Sequence, residues 1–339
     1  MRTLIAALVA MILSVPAAAA DLAALTRPWP AVDTLGEGQD VNWPSTSPFT
    51  PQEALWGSAE ATTAVGTLFP ARRAPGASPP PAVILLHGSG GVLWERERTY
   101  GKQLAAMGIT ALVVDAFAAR RERGTSFTER LLNITESMLL ADAYAGFRFL
   151  VAKGEADPRR VALVGFSYGA MAAMYGLNDA AARAFAPAGE RFIAHAAFYG
   201  PCIARFEEPR TTGAPLLMLY GTADELIEPA RCAATADAFR QGGSTVEVIA
   251  YEGAAHQWDG GWGPRRIGRL MHGCDIQLDR DGSVRDLNSG LAMSGRLSRM
   301  LILGMCVENK PYLINADPAV RLRSNADLGR FLARAFAPG

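Results

Sequence analysis

The chain has 339 residues, 50% of them apolar and 19% charged, and its 33 basic and 33 acidic residues leave a formal charge of zero. That composition is globular and excludes a disordered or fibrous chain. With no basic stripe or lysine-rich run, neither nucleic acid nor an anionic membrane surface is expected as its main partner.

At the N-terminus, Met1-Arg2-Thr3 precedes the apolar run Leu4 to Leu13, then Pro16 and Ala18-Ala19-Ala20 before Asp21. A charged start, a short apolar core and small residues at the end read as a secretory signal peptide over residues 1–20, cleaved near Ala20. The run is too short to span a bilayer comfortably, so no stable membrane anchor is expected. The expected destination is the periplasm or the medium. Residues 21–61, with Pro28, Pro30, Pro44, Pro48 and Pro51 among polar residues, read as an extended arm rather than a packed element.

A domain is expected over 62–339. Thr62–Phe69 suits an edge strand. Ala82–Leu86 is a short continuous apolar run, the pattern of a strand buried on both faces. A helix is expected from about Glu95 to Met107, a strand over Ile109–Val114, a helix over 128–152 and a strand over Val161–Val164. There follow a helix from Tyr168 to Gly176, strands over Phe192–Phe198 and Pro215–Tyr220, a helix over 229–241 and a strand over Val246–Tyr251. Strands alternating with helices predict an α/β fold: a mostly parallel sheet with helices on both faces and its chemistry beyond the carboxyl ends of the strands.

Those strand ends carry the informative residues. Gly165-Phe166-Ser167-Tyr168-Gly169 is a G-x-S-x-G turn between a buried strand and a helix, the setting of a nucleophile elbow. A serine hydroxyl is a poor nucleophile at neutral pH and needs a base within hydrogen-bonding reach. Of the four histidines, His195 lies inside an apolar strand and reads as a core residue. His256 follows the last strand, at the correct end of the sheet, and is the expected base. Asp224, just past the preceding strand, is expected to orient it, completing the order serine, acid, histidine. The backbone N–H groups of Tyr168 and of Ser89, in the glycine-rich turn His87-Gly88-Ser89-Gly90-Gly91, are the expected oxyanion donors. Trp94, Phe117, Tyr168 and Trp258, near strand-end loops, are candidates for substrate contact. This chemistry calls for no cofactor and no metal.

The spaced set LLHGSGG, GFSYGA, YGTADELIEP and YEGAAHQWD resembles the dienelactone hydrolase branch of the α/β-hydrolases, over roughly residues 62–258, with a final helix near 320–336 also fitting. The resemblance implies an α/β-hydrolase fold, a Ser167–Asp224–His256 triad and hydrolysis of a small-molecule ester or lactone. A serine peptidase, an acyltransferase and a non-catalytic binding protein on the same fold are the alternatives. The chain departs from the name-giving enzymes in having Ser167 where they use cysteine, and Gly88 where they carry an acidic residue. It also departs in the long segment 260–310, expected to be an insertion forming a flap at the pocket. In an oxidising compartment four cysteines allow three pairings. Cys202 with Cys232 and Cys274 with Cys306 are expected, because each pair falls within one neighbourhood of the fold.

Overall fold

The computed structural model describes residues 22–73 and 76–337. The expected signal peptide, residues 1–20, lies outside the described residues. In chain order the strands are β1 (Gln39–Thr46), β2 (Ala61–Phe69), β3 (Ala82–Leu86), β4 (Thr110–Val114), β5 (Val161–Phe166), β6 (Ala194–Phe198), β7 (Ala204–Phe206), β8 (Leu216–Gly221), β9 (Val246–Tyr251), β10 (Arg265–Ile267), β11 (Ile276–Leu278), β12 (Val284–Asp286) and β13 (Tyr312–Ile314). The α-helices are α1 (Pro51–Leu55), α2 (Thr99–Ala106), α3 (Phe127–Asn133), α4 (Glu136–Ala152), α5 (Tyr168–Tyr175), α6 (Asp179–Phe185), α7 (Pro229–Gln241), α8 (Arg296–Cys306) and α9 (Pro318–Phe336).

Eight strands form the central sheet in the order β1-β2-β4-β3-β5-β6-β8-β9. From β4 to β9 every pairing is parallel, while β2 runs antiparallel to both β1 and β4. The unbroken apolar runs follow from cover on both faces. In β3, Ala82, Ile84 and Leu86 pack with α4 residues such as Leu140 and Tyr144, whereas Val83 and Leu85 face Tyr100 and Leu104 of α2 and Leu328 and Phe331 of α9. The predicted α/β-hydrolase architecture is therefore the observed one.

Two local expectations are corrected. Part of the N-terminal arm is a packed element: β1 pairs with β2 along its whole length, so β2, expected at the edge, is internal between β1 and β4, and Trp43 is buried with its indole N–H donating to the Asp142 carbonyl at 3.1 Å. The prolines misled because an edge strand tolerates them. Beside Trp43, Arg120 grips the Asp142 carboxylate with two bonds of 2.6 and 2.9 Å, and also reaches the Ser47 hydroxyl and the Thr46 carbonyl. Both side chains of this pair are fully buried, so removing one would strand the other at a cost of about 3–5 kcal/mol.

The second correction concerns 128–152, which is broken into α3 and α4 at Ile134-Thr135. Carbonyls released at the end of α3 find new donors. Ile134 accepts the Tyr168 hydroxyl at 2.7 Å, and Leu131 accepts Arg299 Nε at 2.9 Å. Neither partner is visible from the periodicity of 128–152.

Residues 260–310 form no extension of the main sheet. β10 pairs with β13, and β11 joins β12 and, in parallel, β7. α8 closes the segment. Disulfides join Cys202 to Cys232 and Cys274 to Cys306, the pairing expected. Among the described residues no helix is long and apolar enough to cross a membrane.

Candidate active site

Ser167 sits between β5 and α5 at φ 50° and ψ −108°, a conformation that non-glycine residues rarely adopt. Its neighbours explain the glycines. A Cβ on Gly165 would lie 2.0 Å from the Gly169 carbonyl oxygen, and one on Gly169 would lie 2.3 Å from that of Leu86. The turn closes only with hydrogen at both positions, which leaves the serine held above the sheet. The Ser167 N–H donates to the Phe198 carbonyl at 2.8 Å, tying the turn to β6.

His256 arrives from the loop after β9 and Asp224 from the loop after β8. His256 Nδ1 lies 2.7 Å from Asp224 Oδ2, and Nε2 lies 3.0 Å from Ser167 Oγ. An ionised carboxylate only accepts, so Nδ1 carries the proton and donates it to Asp224, leaving Nε2 to accept the Ser167 hydroxyl. The other Asp224 oxygen accepts the Leu226 N–H at 3.0 Å. The rings of Tyr199 and Tyr312 pack edge-on against the imidazole, with centroids 4.7 and 5.1 Å away, and all three expected residues are buried.

Tyr168 opens α5, so its N–H is one of those with no carbonyl a turn behind it. Ser89 lies in a turn closed by the Gly91 N–H donating to the Gly88 carbonyl at 3.0 Å. Ser89, Ser167 and Tyr168 all border one cavity of about 710 Å³. Two cations on its wall are matched by carboxylates: Arg96 meets Glu97 at 2.6 Å, and Arg299 of α8 meets Glu136 at 3.1 Å. Burial by itself lowers the pKa of Arg96, but Glu97, Tyr199 and Asp259 outweigh it and hold the guanidinium above its ordinary value.

The motif-bearing part of the chain, residues 69–259, matches the model of the Dienelactone hydrolase family. The chain belongs to the dienelactone hydrolase family. It is a hydrolase acting on ester bonds. Over 210 residues it is 25% identical to a candidate carboxymethylenebutenolidase of Methylorubrum extorquens, covering 58% of this chain and 70% of that protein. Among solved structures it is similar to a candidate dienelactone hydrolase of Klebsiella pneumoniae, with a TM-score of 0.45 and 20% identity over 65% of this chain and 88% of that one. It is also similar to propionate-bound esterase 2 of Thermogutta terrifontis, with a TM-score of 0.43 and 18% identity over 57% of this chain and 80% of that one.

The structure of this dienelactone hydrolase family member moves three expected substrate contacts away from the cavity. Trp258 is 1% exposed and points under the sheet, where its indole N–H donates to the Ser324 hydroxyl of α9 at 3.0 Å. Phe117 is buried against His87 and Tyr168, with ring centroids 4.5 and 6.5 Å away. Trp94 is 49% exposed, with Lys102 Nζ 4.2 Å from its ring centroid. Closeness to a strand end in sequence does not decide which way a side chain points.

Sequence reasoning also missed a buried polar chain behind the site. The Tyr199 hydroxyl donates to Asp259 at 2.6 Å and stands 3.4 Å from Arg96, and the Tyr100 hydroxyl reaches the second Asp259 oxygen at 3.2 Å. Tyr199 and Gln257 adopt φ of 43° and 60°, so the segments flanking His256 share the strain seen at Ser167. Arg96 and Glu97 lie in the run Trp94-Glu95-Arg96-Glu97-Arg98, where the sequence predicts only a helix, and both are fully buried.

Proposed function

We propose that this family member is an exported serine esterase that works through an acyl-serine intermediate. Ser167 Oγ attacks the ester carbonyl while its proton passes to His256 Nε2, and Asp224 stabilises the imidazolium that forms. The developing oxyanion accepts from the N–H groups of Tyr168 and Ser89. Collapse of the adduct breaks the ester bond, and His256 returns the proton to the departing alcohol. Water then attacks the acyl-serine as His256 takes its proton, and the acyl–Oγ bond breaks with His256 passing that proton to Ser167 Oγ, which releases the acid and restores the serine.

The observation that carries this reading is the unbroken hydrogen-bond chain Ser167–His256–Asp224 at 3.0 and 2.7 Å. A serine needs that chain more than a cysteine does, because a thiol ionises far more readily than a hydroxyl. Export is supported by the signal-like residues 1–20 and is compatible with the two disulfides.

Labelling with a fluorophosphonate probe tests the nucleophile. The oxidised wild type should label and Ser167→Ala should not. A folded wild type that stays unlabelled, or a mutant that labels equally, would sink the reading. Mass spectrometry of the full-length chain expressed in a bacterial host should find an N-terminus at Asp21, and an intact Met1 would remove the export reading.

A further inference from the structure

The cavity beside Ser167 is larger and more apolar than a compact ester or lactone requires. Its volume of about 710 Å³ falls in the range of roughly 300–1,000 Å³ typical of sites that enclose drug-sized molecules. Filled only with solvent it would hold about two dozen waters, at roughly 30 Å³ each. Its walls include Phe127, Leu131, Met171, Trp262, Met300 and Leu303. Arg96 and Arg299 present no unmatched charge, because Glu97 and Glu136 neutralise them, and the remaining wall cations, Arg265 and Arg269, are exposed to solvent. Water over such walls is readily displaced by hydrocarbon.

The segment 260–310 builds much of this chamber. α8 turns Met300, Leu303 and Gly304 toward it and is held at its C-terminal end by the Cys274–Cys306 disulfide. Met300 borders the chamber and is still 40% exposed, while Leu297, Leu301 and Met305 on the same helix are 65%, 51% and 60% exposed. Spacings of three and four residues place these apolar side chains along one stripe. Met300 therefore joins the lining of the chamber to an exposed apolar stripe on the same helix. Methionine suits such a wall because its flexible side chain adapts to differently shaped apolar groups.

We propose that the substrate is an ester carrying one large apolar arm, an alkyl chain of medium length or a hydrocarbon group of similar bulk, and that α8 with Phe127 is the wall that selects it. This rests on the ester-hydrolysis reading and names the substrate class for that site. The arm lies in the chamber between α3, α8 and Trp262, and the ester carbonyl lies at Ser167.

Two substrate pairs test the proposal below their micelle-forming concentrations: p-nitrophenyl octanoate against p-nitrophenyl acetate, and octyl acetate against ethyl acetate. In at least one pair kcat/KM should favour the long arm by about tenfold or more, since each methylene buried in a pocket adds to discrimination. Gly304→Trp should reduce that ratio by about tenfold or more, as should Met300→Glu. A Cβ on Gly304 meets nothing within 4 Å, and a side chain there favours the helix. A ratio within one preparation does not depend on how much of it is folded. A short-arm preference in both pairs overturns the proposal, and so does a long-arm preference that survives both substitutions. Calorimetry of Ser167→Ala with p-nitrophenyl octanoate and acetate separates the two readings. Tighter octanoate binding with no wild-type turnover ends the catalytic reading and leaves the chamber assignment standing. Turnover of acetates with no gain from the long arm does the reverse.

Discussion

Residues 69–259 and residues 260–310 meet at the same cavity but are built by different rules. The first region supplies Ser167, Asp224, His256, Ser89 and Tyr168 from strand-end turns of a parallel sheet. The second supplies side chains from short strands and one helix, braced by a disulfide and packed onto the α4 side of the core through Ile276, Met293 and Ile302. The first region must satisfy backbone geometry that only certain residues tolerate, so it leaves motifs. The second must only fill space with apolar groups of suitable shape, and many sequences do that. The hydrogen-bonded trio Ser167, His256 and Asp224 thus lies in the region with motifs, while both regions wall the chamber, the first with Phe127, Leu131 and Met171 and the second with Trp262, Met300 and Leu303.

Perturbing one region at a time sharpens this contrast. The largest effect should come from Asp224→Asn, which keeps the shape of the site but offers His256 Nδ1 a poorer partner. Turnover of every ester should fall by about 10⁴-fold, equivalent to about 5 kcal/mol of transition-state stabilisation, with the long-to-short substrate ratio unchanged. A change in that ratio would mean the two regions are not separable.

Next in size is the double change Cys274→Ser and Cys306→Ser. The bond spans 32 residues, and the chain-entropy model assigns such a loop about 3–4 kcal/mol. Loosened α8 should lower the long-arm preference while fluorophosphonate still labels Ser167. Loss of labelling together with selectivity would show instead that the insertion helps hold the catalytic turn. Arg299 provides a route for that, since it bonds both Glu136 and the Tyr168 hydroxyl.

The smallest of the three belongs to the core alone. Burial pushes the His195 imidazole down to about 4, partly offset by its bond to the Ala173 carbonyl at 2.9 Å. The unfolded chain therefore binds a proton below about pH 6.5 that the folded chain refuses. This contribution to stability is complete above pH 6.5 and is lost as pH falls toward 4, by about 3 kcal/mol in total. Urea denaturation between pH 7 and 4.5 should show a slope that flattens in His195→Gln. An unchanged slope would place the acid sensitivity elsewhere.

His195 also shows how far the sequence could be read. An isolated histidine in an apolar strand was legible as a core residue, yet only the packed structure shows that Nδ1 has a partner and Nε2 has none among the described residues. The buried central strands, the G-x-S-x-G turn and the meeting of Ser167, His256 and Asp224 were legible for a related reason. A strand buried on both faces must be continuously apolar, and a turn with backbone contacts near 2 Å at its Cβ positions must use glycine. Those are local demands, and local demands leave residues that can be recognised.

Sequence by itself thus determined the fold class and the strand ends at which Ser167, Asp224 and His256 come within hydrogen-bonding distance of one another. Tertiary structure alone decided that β1 is a strand, that 128–152 breaks at Ile134, that Trp258 turns under the sheet, and that α8 walls a chamber of about 710 Å³. Each of those outcomes depends on partners distant in the chain: Asp142 for Trp43, Tyr168 and Arg299 for the freed carbonyls, Ser324 for Trp258. Side-chain direction and element boundaries follow from where such partners lie once the chain has packed, and neither composition nor periodicity records that.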